Sequence, residues 1–378
     1  MEMRDMGKTG AKVSLLGFGC MRFPTTEDGK IDEARAEEML DKAIASGVNY
    51  IDTAYPYHGG ESERFVGKVL QKYDRDSFYL ATKLPVWLVK SLDDVDRIFE
   101  EQLQKLRTDH VDFYLMHALD REVFERMRDM GVVEKLKEMK KAGKFKYLGF
   151  SFHDEYSAFE EIINYTDWDF CQIQLNYMDA DEQAGVKGYE LAKKKDVPLV
   201  IMEPVKGGTL ANLAPDIKEK FAALDKNASV ASYALRWVGT FDNVKVILSG
   251  MSTMEQVEDN LNTFIDFKPL TDKEKETIDD VVSIMKSRVQ NGCTGCRYCM
   301  PCPFGVDIPG CFKAWNTYHV YGNYNSASWL WEHEIGEAHQ AKNCKECGAC
   351  EQKCPQHLSI RSDLKKAQAD LDKKEFRF

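Results

Sequence analysis

The chain has 378 residues and a formal net charge of −11 at pH 7, and this length predicts either two domains or one large barrel with an appendage. The acidic charge argues against a nucleic acid as partner. The amino terminus lacks the apolar region of a signal peptide, and the sequence holds no apolar stretch as long as a membrane span. We therefore expect a soluble, cytoplasmic protein.

Up to about residue 265, short apolar runs alternate with longer amphipathic stretches. Eight runs have the length and the β-branched or aromatic content of buried strands: residues 15–18, 48–52, 78–82, 111–116, 147–152, 170–175, 198–202 and 244–248. Helix-like stretches between them include residues 32–45, 93–106, 131–142 and 182–195. Eight strands alternating with helices over about 250 residues predict an α/β fold, the (β/α)8 or TIM barrel. The alternative is an open doubly wound sheet, but its G-x-G-x-x-G turn is missing after the first strand.

In a barrel of this type, the reacting groups come from the carboxyl ends of the strands. Polar side chains stand at or just beyond nearly all of the predicted strand ends: Asp52, Tyr57, Lys83, His117, Ser151, Gln172, Asn176, Glu203 and Ser249. A single polar residue there would be an ordinary cap. An Asp, a Tyr, a Lys and a His from three consecutive strands, however, converge on one place and predict a catalytic site.

The segment from Arg4 to about residue 267 resembles the aldo-keto reductases. The similar runs are MGKTGAKV at 6–13, LGFGC at 16–20, NYIDTAYPY at 49–57, GESE at 60–63, ATK at 81–83 and DFYLMH at 112–117. The resemblance implies a catalytic tetrad, formed by Asp52, Tyr57, Lys83 and His117. It also implies an oxidoreductase that reduces a carbonyl or conjugated small molecule.

The chemistry of the reaction suggests a role for each member of this tetrad. A hydride delivered to a carbonyl carbon leaves negative charge on the oxygen, which a nearby acid must neutralise. Tyr57 is the expected proton donor, with a phenol pKa lowered from about 10 by the Lys83 ammonium. Asp52 is expected to keep Lys83 charged and in place, and His117 to orient the carbonyl. The alternative is a structural Asp52–Lys83 ion pair with His117 as a core residue.

Members of the family bind a nicotinamide dinucleotide, and the resemblance implies which residues contact it. These residues are Ser151, Gln172, Glu203, Pro204, Val205, Lys206, Gly207, Gly208, Ser249, Gly250, Met251, Gln256 and Asn260. Ser151 and Gln172 would hold the carboxamide, and the loop at 204–208 would hold the pyrophosphate. The residues from Ser249 onward would surround the adenosine half.

Three positions depart from the family pattern. Phe152 replaces an asparagine, Met202 replaces an aromatic residue that stacks on nicotinamide, and Gln256 replaces an arginine that clamps a 2′-phosphate. Together these changes remove an amide contact, a stacking surface and a positive charge. The sequence therefore leaves the cofactor open between NADP(H) and FMN, whose phosphate would suit the site near strands seven and eight.

Eight of the eleven cysteines fall into two short runs, each followed by a proline. The first run is Cys293, Cys296, Cys299 and Cys302, and the second is Cys344, Cys347, Cys350 and Cys354. The second has the C-x2-C-x2-C-x3-C-P spacing of bacterial ferredoxins, which bind [4Fe–4S] clusters, and the first differs by one residue. Two structural zinc sites are the alternative, but zinc usually takes C-x2-C pairs separated by a longer stretch. In a two-cluster fold, Cys302 and Cys354 would each join the first three cysteines of the other run.

A barrel followed by two such loops resembles the iron–sulfur branch of the aldo-keto reductases. We expect the barrel at residues 1–270 and a mostly helical ferredoxin-like domain with two [4Fe–4S] clusters at 271–378. The aromatic segment 312–331 is expected to pack around the clusters or against the barrel. The charged tail at 364–378 is expected to form a solvated helix.

The clusters raise a question of electron counting. An iron–sulfur cluster passes one electron at a time, whereas nicotinamide transfers two electrons as a hydride. If the clusters serve the barrel site, a cofactor must convert between one-electron and two-electron transfer, and a flavin can do this. The sequence favours an oxidoreductase with the clusters as an electron relay. The alternatives are a flavin-dependent reductase fed by ferredoxin, and a non-catalytic cluster-bearing carrier or sensor. Ferredoxin or another small redox protein is a candidate partner beside a small-molecule substrate.

Overall fold

The computed structural model describes residues 1–374. A short antiparallel hairpin comes first, made of β1 (Met3–Asp5) and β2 (Lys12–Ser14). Eight parallel strands then close into a barrel: β3 (Leu16–Gly19), β4 (Tyr50–Asp52), β5 (Tyr79–Leu84), β6 (Val111–Leu119), β7 (Phe145–Phe152), β8 (Phe170–Gln174), β9 (Leu199–Met202) and β10 (Val244–Ser249). The predicted α/β barrel is confirmed, and each predicted run overlaps one barrel strand.

Helices alternate with these strands along the chain. They are α1 (Glu33–Ala45), α2 (Ser62–Leu70), α3 (Leu92–Leu106), α4 (Arg121–Asp129), α5 (Val132–Lys141), α6 (Tyr156–Tyr165), α7 (Gly185–Lys194), α8 (Pro215–Ala222), α9 (Val230–Gly239) and α10 (Met254–Ile265). Local capping sets several of their ends, as at α3, where Ser91 and Asp94 form a reciprocal capping box. Among residues 1–374, no helix combines the length and the apolar composition needed to cross a membrane.

Side chains fill the interior of the barrel. The ring of Phe113 on β6 packs against the rings of Tyr50 and Phe170, with centroids 5.0 Å apart in both pairs. Met6 and Val13, from the amino-terminal hairpin, belong to the same buried cluster. Because the interior is filled, the chemistry of such a barrel is left to the carboxyl ends of its strands.

The chain forms two compact units, which are Met1–Pro204 with Ser232–Leu270, and Val205–Ala231 with the residues from Thr271 onward. The segment Val205–Ala231 belongs to the second unit because its helix α8 pairs with α11 (Asp272–Ser287). Lys220 contacts Asp280 at 2.7 Å, and Asp216 forms an ion pair with Arg288 beyond the end of α11. The division into domains at 1–270 and 271–378 stays a prediction. That division places Val205–Ala231 in the barrel domain, whereas the segment belongs to the second compact unit.

The second unit is mostly helical. After α11 it contains α12 (Ile308–Tyr321), α13 (Tyr324–Trp329), a π-helical turn at Leu330–Ile335, α14 (Ala349–Lys353) and α15 (Ile360–Leu371). The core of this unit contains Phe312, Trp315 and Trp331 together with residues of α15. Several of the clustered cysteines pack against this core. The aromatic segment therefore packs around the cysteine loops, apart from Trp329, which is 65% exposed.

The predicted helix at 364–378 is confirmed as far as Leu371, but it is solvated on one face only. Helix α15 ends at Leu371, and it buries Leu364, Ala367 and Leu371 on one face. These apolar residues recur at helical spacing among the Lys and Asp residues, so one face packs into the core while the charges stay in water. Residues 375–378 lie outside the described part of the chain.

Candidate active site and cluster sites

A buried ion pair lies at the carboxyl ends of β4 and β5. Lys83 is fully buried, and its Nζ donates to both carboxylate oxygens of Asp52, at 2.7 and 2.8 Å. It also donates to the main-chain oxygen of Thr53 at 2.8 Å. Burial lowers the pKa of Lys83, but the attraction of Asp52 and other partners outweighs it, so the pKa is raised. Lys83 is therefore a cation fixed at three points.

A network of buried polar side chains holds the backbone behind this pair. Gln102 on α3 donates from Nε2 to the main-chain oxygen of Lys83 at 3.0 Å and to Glu63 Oε1 at 2.7 Å. Thr82 donates to the same oxygen of Glu63 at 2.7 Å, and Tyr114 donates to Gln102 Oε1 at 2.8 Å. Gln102 is not among the residues predicted from the sequence to serve the site. The signal was a glutamine at an otherwise apolar position of the buried face of α3.

Tyr57 lies just beyond β4, at the start of the 3₁₀ turn Tyr57–Gly60. The Lys83 ammonium is 5.1 Å from the centre of its ring, and the ring of His117 stands edge-on at 6.1 Å. Burial raises the pKa of Tyr57 by more than the charge of Lys83 lowers it. The predicted fall in this pKa is therefore wrong, because a buried phenolate loses its hydration. Tyr57 is protonated at neutral pH, as a proton donor must be.

His117 on β6 is an uncharged imidazole. Burial lowers its pKa to about 3, helped by the charge of Lys83. Its Nδ1 is buried and has no hydrogen-bond partner within residues 1–374. The ring of Trp87, which is 45% exposed, lies 5.2 Å away and adds an aromatic wall. Trp87 is not predicted from the sequence as a site residue, because only its exposure beside His117 distinguishes it from a core residue.

Ser151 and Gln172 are paired across the neighbouring strands β7 and β8. Ser151 Oγ accepts a hydrogen bond from the N–H of Ala118 at 2.7 Å, so its own hydroxyl hydrogen is left to donate. Gln172 Nε2 donates to the sulfur of Met202 at 3.4 Å. Gln172 Oε1 is buried without a partner in the described part of the chain. A hydroxyl donor next to an open amide acceptor fits a carboxamide, which offers one acceptor and two donors.

The three departures from the family pattern have local explanations. Phe152 is buried, with its ring edge-on to that of Phe159 at 5.3 Å, so it belongs to the core. Met202 presents its sulfur to Gln172 in place of an aromatic ring. Gln256 Oε1 accepts from the N–H of Ser252 at 2.7 Å, which uses its amide oxygen within the turn before α10.

The residues predicted around an adenosine half begin at the last residue of β10 and continue into α10. Asn260 Nδ2 donates to Ser249 Oγ at 2.8 Å, and Met251 is buried. Arg22 lies over Gly250, where a Cβ would come within 2.7 Å of the arginine Cγ. Arg22 is thus a cation in this region that the sequence analysis missed. Arg22 lies three residues after the end of β3, and this position near a strand end is the sequence feature that could have indicated it.

The loop predicted to hold a pyrophosphate is tightly turned. The chain passes from the first compact unit to the second between Pro204 and Val205. Four residues of the loop have left-handed backbone conformations: Glu203, Lys206, Gly207 and Gly208. A Cβ at either glycine would meet no atom within 4 Å, so backbone conformation, and not crowding, calls for glycine there. Turned glycine loops of this kind present N–H groups to anions.

The clustered cysteines line two cavities in the second unit. The first cluster cavity is lined by Cys293, Cys296, Cys299 and Cys354, and the second by Cys302, Cys344, Cys347 and Cys350. Cys299 lies in the wall of both. This grouping is the one that crossed ligation requires, since Cys302 and Cys354 each join the other run. Each cavity presents the four thiols that one [4Fe–4S] cluster needs.

The cysteine loops also have the conformation of cluster-binding loops. Gly295 and Gly348 have positive φ angles, as do Arg297 and Glu346, so each loop curls back on itself beside its cysteines. The N–H of Glu346 donates to the sulfur of Cys344 at 3.4 Å. Hydrogen bonds of this type help set the reduction potential of a cluster.

Comparison with known proteins agrees with both halves of this description. Residues 15–283 match the aldo/keto reductase family, and residues 292–358 match a 4Fe-4S dicluster domain. L-galactose dehydrogenase of Arabidopsis thaliana is 25% identical over 312 residues, which are 76% of this chain and 95% of that protein. Aldo-keto reductase YhdN of Bacillus subtilis is 35% identical over 160 residues, 40% of this chain and 47% of that protein. The holo form of aldo-keto reductase AKR11C1 from Bacillus halodurans has a TM-score of 0.63 at 26% identity, over 74% of this chain and 96% of that one.

The barrel, together with the family match of residues 15–283, identifies an oxidoreductase. The chain belongs to the aldo/keto reductase family, because the family match covers more than half of it, and a 4Fe-4S dicluster domain follows the barrel. The predicted enzyme class is therefore confirmed, against the alternative of a non-catalytic carrier. The dicluster match supports iron–sulfur clusters over structural zinc, whereas nothing in these comparisons supports a flavin.

Proposed function

We propose that the barrel site reduces a carbonyl group of a small molecule with a hydride from NAD(P)H, and that Tyr57 donates the proton. The observation that carries this proposal is the buried Asp52–Lys83 pair beside a protonated Tyr57 and a neutral His117. A structural ion pair would need neither a phenol next to it nor an imidazole whose Nδ1 lacks a partner among the described residues. The four groups together match the needs of general acid catalysis at a carbonyl oxygen.

Each residue has a defined task in this reaction. A reduced nicotinamide, when bound, supplies a hydride to the carbonyl carbon. Tyr57 passes its hydroxyl proton to the oxygen as negative charge develops there, so that hydride and proton together give an alcohol. Lys83 stabilises the phenolate that Tyr57 becomes, and Asp52 keeps the ammonium in position. Neutral His117 donates a hydrogen bond that orients the same oxygen.

The chain offers a fitting place for the nicotinamide. Ser151 and Gln172 would hold the carboxamide, since one has a free hydroxyl hydrogen and the other a buried amide oxygen that lacks a partner among the described residues. The turned loop at 203–208 would bind the pyrophosphate through its N–H groups. Gln256 offers no charge to a 2′-phosphate, so both NADH and NADPH should be tried as donors.

We further propose that the eight clustered cysteines hold two [4Fe–4S] clusters that serve as an electron relay. Such clusters, when bound, take up and release single electrons. Two clusters, one in each cavity, would store two electrons per chain. A small redox protein such as ferredoxin would be the source of these electrons.

The barrel proposal is tested with Tyr57→Phe, which removes the proton donor and keeps the ring. Anaerobic enzyme is screened against aldehydes, ketones and enones with NADH and NADPH. For any substrate found, Tyr57→Phe should lower kcat/KM by about 10²–10⁴-fold.

The matched control is Tyr55→Phe, two residues away. It also loses a phenol oxygen, but one that donates to Glu101 at 3.1 Å, so its rate should stay near that of the wild type. Equal rates for Tyr57→Phe and the wild type would remove Tyr57 from the mechanism.

A further inference from the structure

Positive charges surround the opening of the second cluster cavity. Its lining includes Lys345, Lys353 and Arg361, and no Asp or Glu is among the residues that line it. All three side chains are exposed. The first cluster cavity is different, since its one charged lining residue, Arg297, has Asp307 as a partner at 3.8 Å.

The carboxylates near the second cluster cavity neutralise Arg361 but not Lys345 or Lys353. Glu351 is bound by Arg361 at 2.8 Å, and Glu346 is bound by Lys365 at 2.8 Å. Lys345 and Lys353 form no ion pair within the residues that the structure describes. Between residues 342 and 366 the chain has six Lys and Arg against three Asp and Glu, although its total charge is −11. This segment therefore carries a net charge of +3 on a chain that is acidic as a whole.

The same opening combines an apolar surface with access to the cysteines. Phe304, which is 44% exposed, lines the second cluster cavity, and Cys347 in that cavity is exposed. An apolar contact surrounded by charges is the usual composition of a protein–protein interface. An exposed cysteine ligand would place the cluster close to a docked protein, as a one-electron transfer requires.

We propose that an acidic one-electron carrier protein docks on Lys345, Lys353 and Phe304 at the second cluster cavity. This inference rests on the proposed relay function and adds the class of partner and the place where it binds. In each encounter the carrier loses one electron and the cysteine domain gains one, with no other reactant. The charge complementarity excludes a basic carrier, because its lysines would meet Lys345 and Lys353.

The test uses the full-length enzyme with its clusters, prepared anaerobically, and a plant-type acidic [2Fe–2S] ferredoxin as the probe. Reduced ferredoxin is mixed rapidly with the enzyme, and bleaching of the cluster absorption gives the second-order rate constant. Binding of oxidised ferredoxin is measured separately by calorimetry. Lys345→Glu/Lys353→Glu should lower the rate constant by about tenfold or more at low salt, and the difference should shrink as salt rises.

The matched control carries the same change of charge elsewhere in the second unit. Lys218→Glu/Lys226→Glu alters two exposed lysines that do not line the cavity, and it should keep the rate within about twofold of wild type. Lys345→Gln/Lys353→Gln is a milder variant that should give an intermediate rate if the reversed charges disturb folding. Iron content and dithionite bleaching show that each variant still holds its clusters.

Two results would overturn the proposal. One is a rate and an affinity that are the same in wild type and Lys345→Glu/Lys353→Glu. The other is an equal loss in the control variant, which would mean that only net charge matters. NAD(P)H-driven carbonyl reduction is measured on the same samples, so failure of the barrel proposal is seen separately from failure of the docking site.

Discussion

The barrel site and the second cluster cavity use lysines in opposite ways. Lys83 is fully buried, paired with Asp52 and held by strands, whereas Lys345 and Lys353 are exposed beside cysteine loops. A buried pair is little affected by salt and keeps one geometry, which suits chemistry on a bound substrate. Exposed charges act over distance and are screened by salt, which suits encounters with another protein. The burial of a lysine therefore indicates which kind of function it serves.

The largest expected effect concerns the ligands of the two clusters. Wild-type enzyme should contain about eight irons per chain. With crossed ligation, Cys302→Ala/Cys347→Ala damages only the second cluster cavity and should leave about four irons. Cys296→Ala/Cys302→Ala takes one ligand from each cavity and should lose both clusters. Iron analysis and low-temperature electron paramagnetic resonance give the counts.

A buried cysteine that is not a predicted ligand provides the control for this experiment. Cys311 lies in the core of the second unit, and Cys311→Ala should keep about eight irons. If each run held its own cluster, Cys302→Ala/Cys347→Ala would lose both clusters. Cys296→Ala/Cys302→Ala would then keep about four irons. That outcome would contradict crossed ligation.

The second effect tests the buried pair of the barrel. Lys83→Met leaves the Asp52 carboxylate buried without a counter-charge, which should lower the free energy of unfolding by about 3–5 kcal/mol. Lys83→Met/Asp52→Leu removes both charges and should recover most of that loss. Urea unfolding under anaerobic conditions measures both.

An exposed ion pair serves as the comparison. Lys68 and Glu33 are 2.6 Å apart and about half exposed, so Lys68→Met should cost less than about 1 kcal/mol. Equal losses for Lys83→Met and Lys68→Met would show that burial does not distinguish the two pairs.

The smallest expected effect is a rate that does not change with pH. The pKa of His117 is lowered to about 3, and burial raises that of Tyr57 above its usual value of 10. His117 therefore stays neutral and Tyr57 stays protonated between about pH 5.5 and 8.5. We expect kcat/KM for carbonyl reduction to be constant over this range. An inflection between pH 6 and 7 that disappears in His117→Asn would contradict a neutral His117.

Much of the barrel can be predicted from the sequence because its signals are local. The apolar runs that form the strands are short and continuous, and the residues of the tetrad lie in the last residues of a strand or, for Tyr57, five residues beyond one. The cysteine spacing likewise predicts two clusters, since the ligands of each loop are neighbours in the chain.

What could not be predicted depends on partners far apart in the chain. Gln102 forms hydrogen bonds with Lys83 and Glu63, which precede it by 19 and 39 residues in the chain. No local sequence pattern predicts such contacts. The pKa of Tyr57 depends on how deeply the fold buries it. The place of Val205–Ala231 in the second unit depends on ion pairs with α11 and the residue that follows it.

The central claim is that the barrel carries out two-electron chemistry and the cysteine domain one-electron chemistry. It is tested most directly by measuring both activities on Tyr57→Phe and on Cys302→Ala/Cys354→Ala. We expect Tyr57→Phe to lose NAD(P)H-driven carbonyl reduction by about 10²–10⁴-fold and to keep reduction of its clusters by ferredoxin. We expect the cysteine variant to show the reverse. Loss of both activities in either variant would contradict the claim.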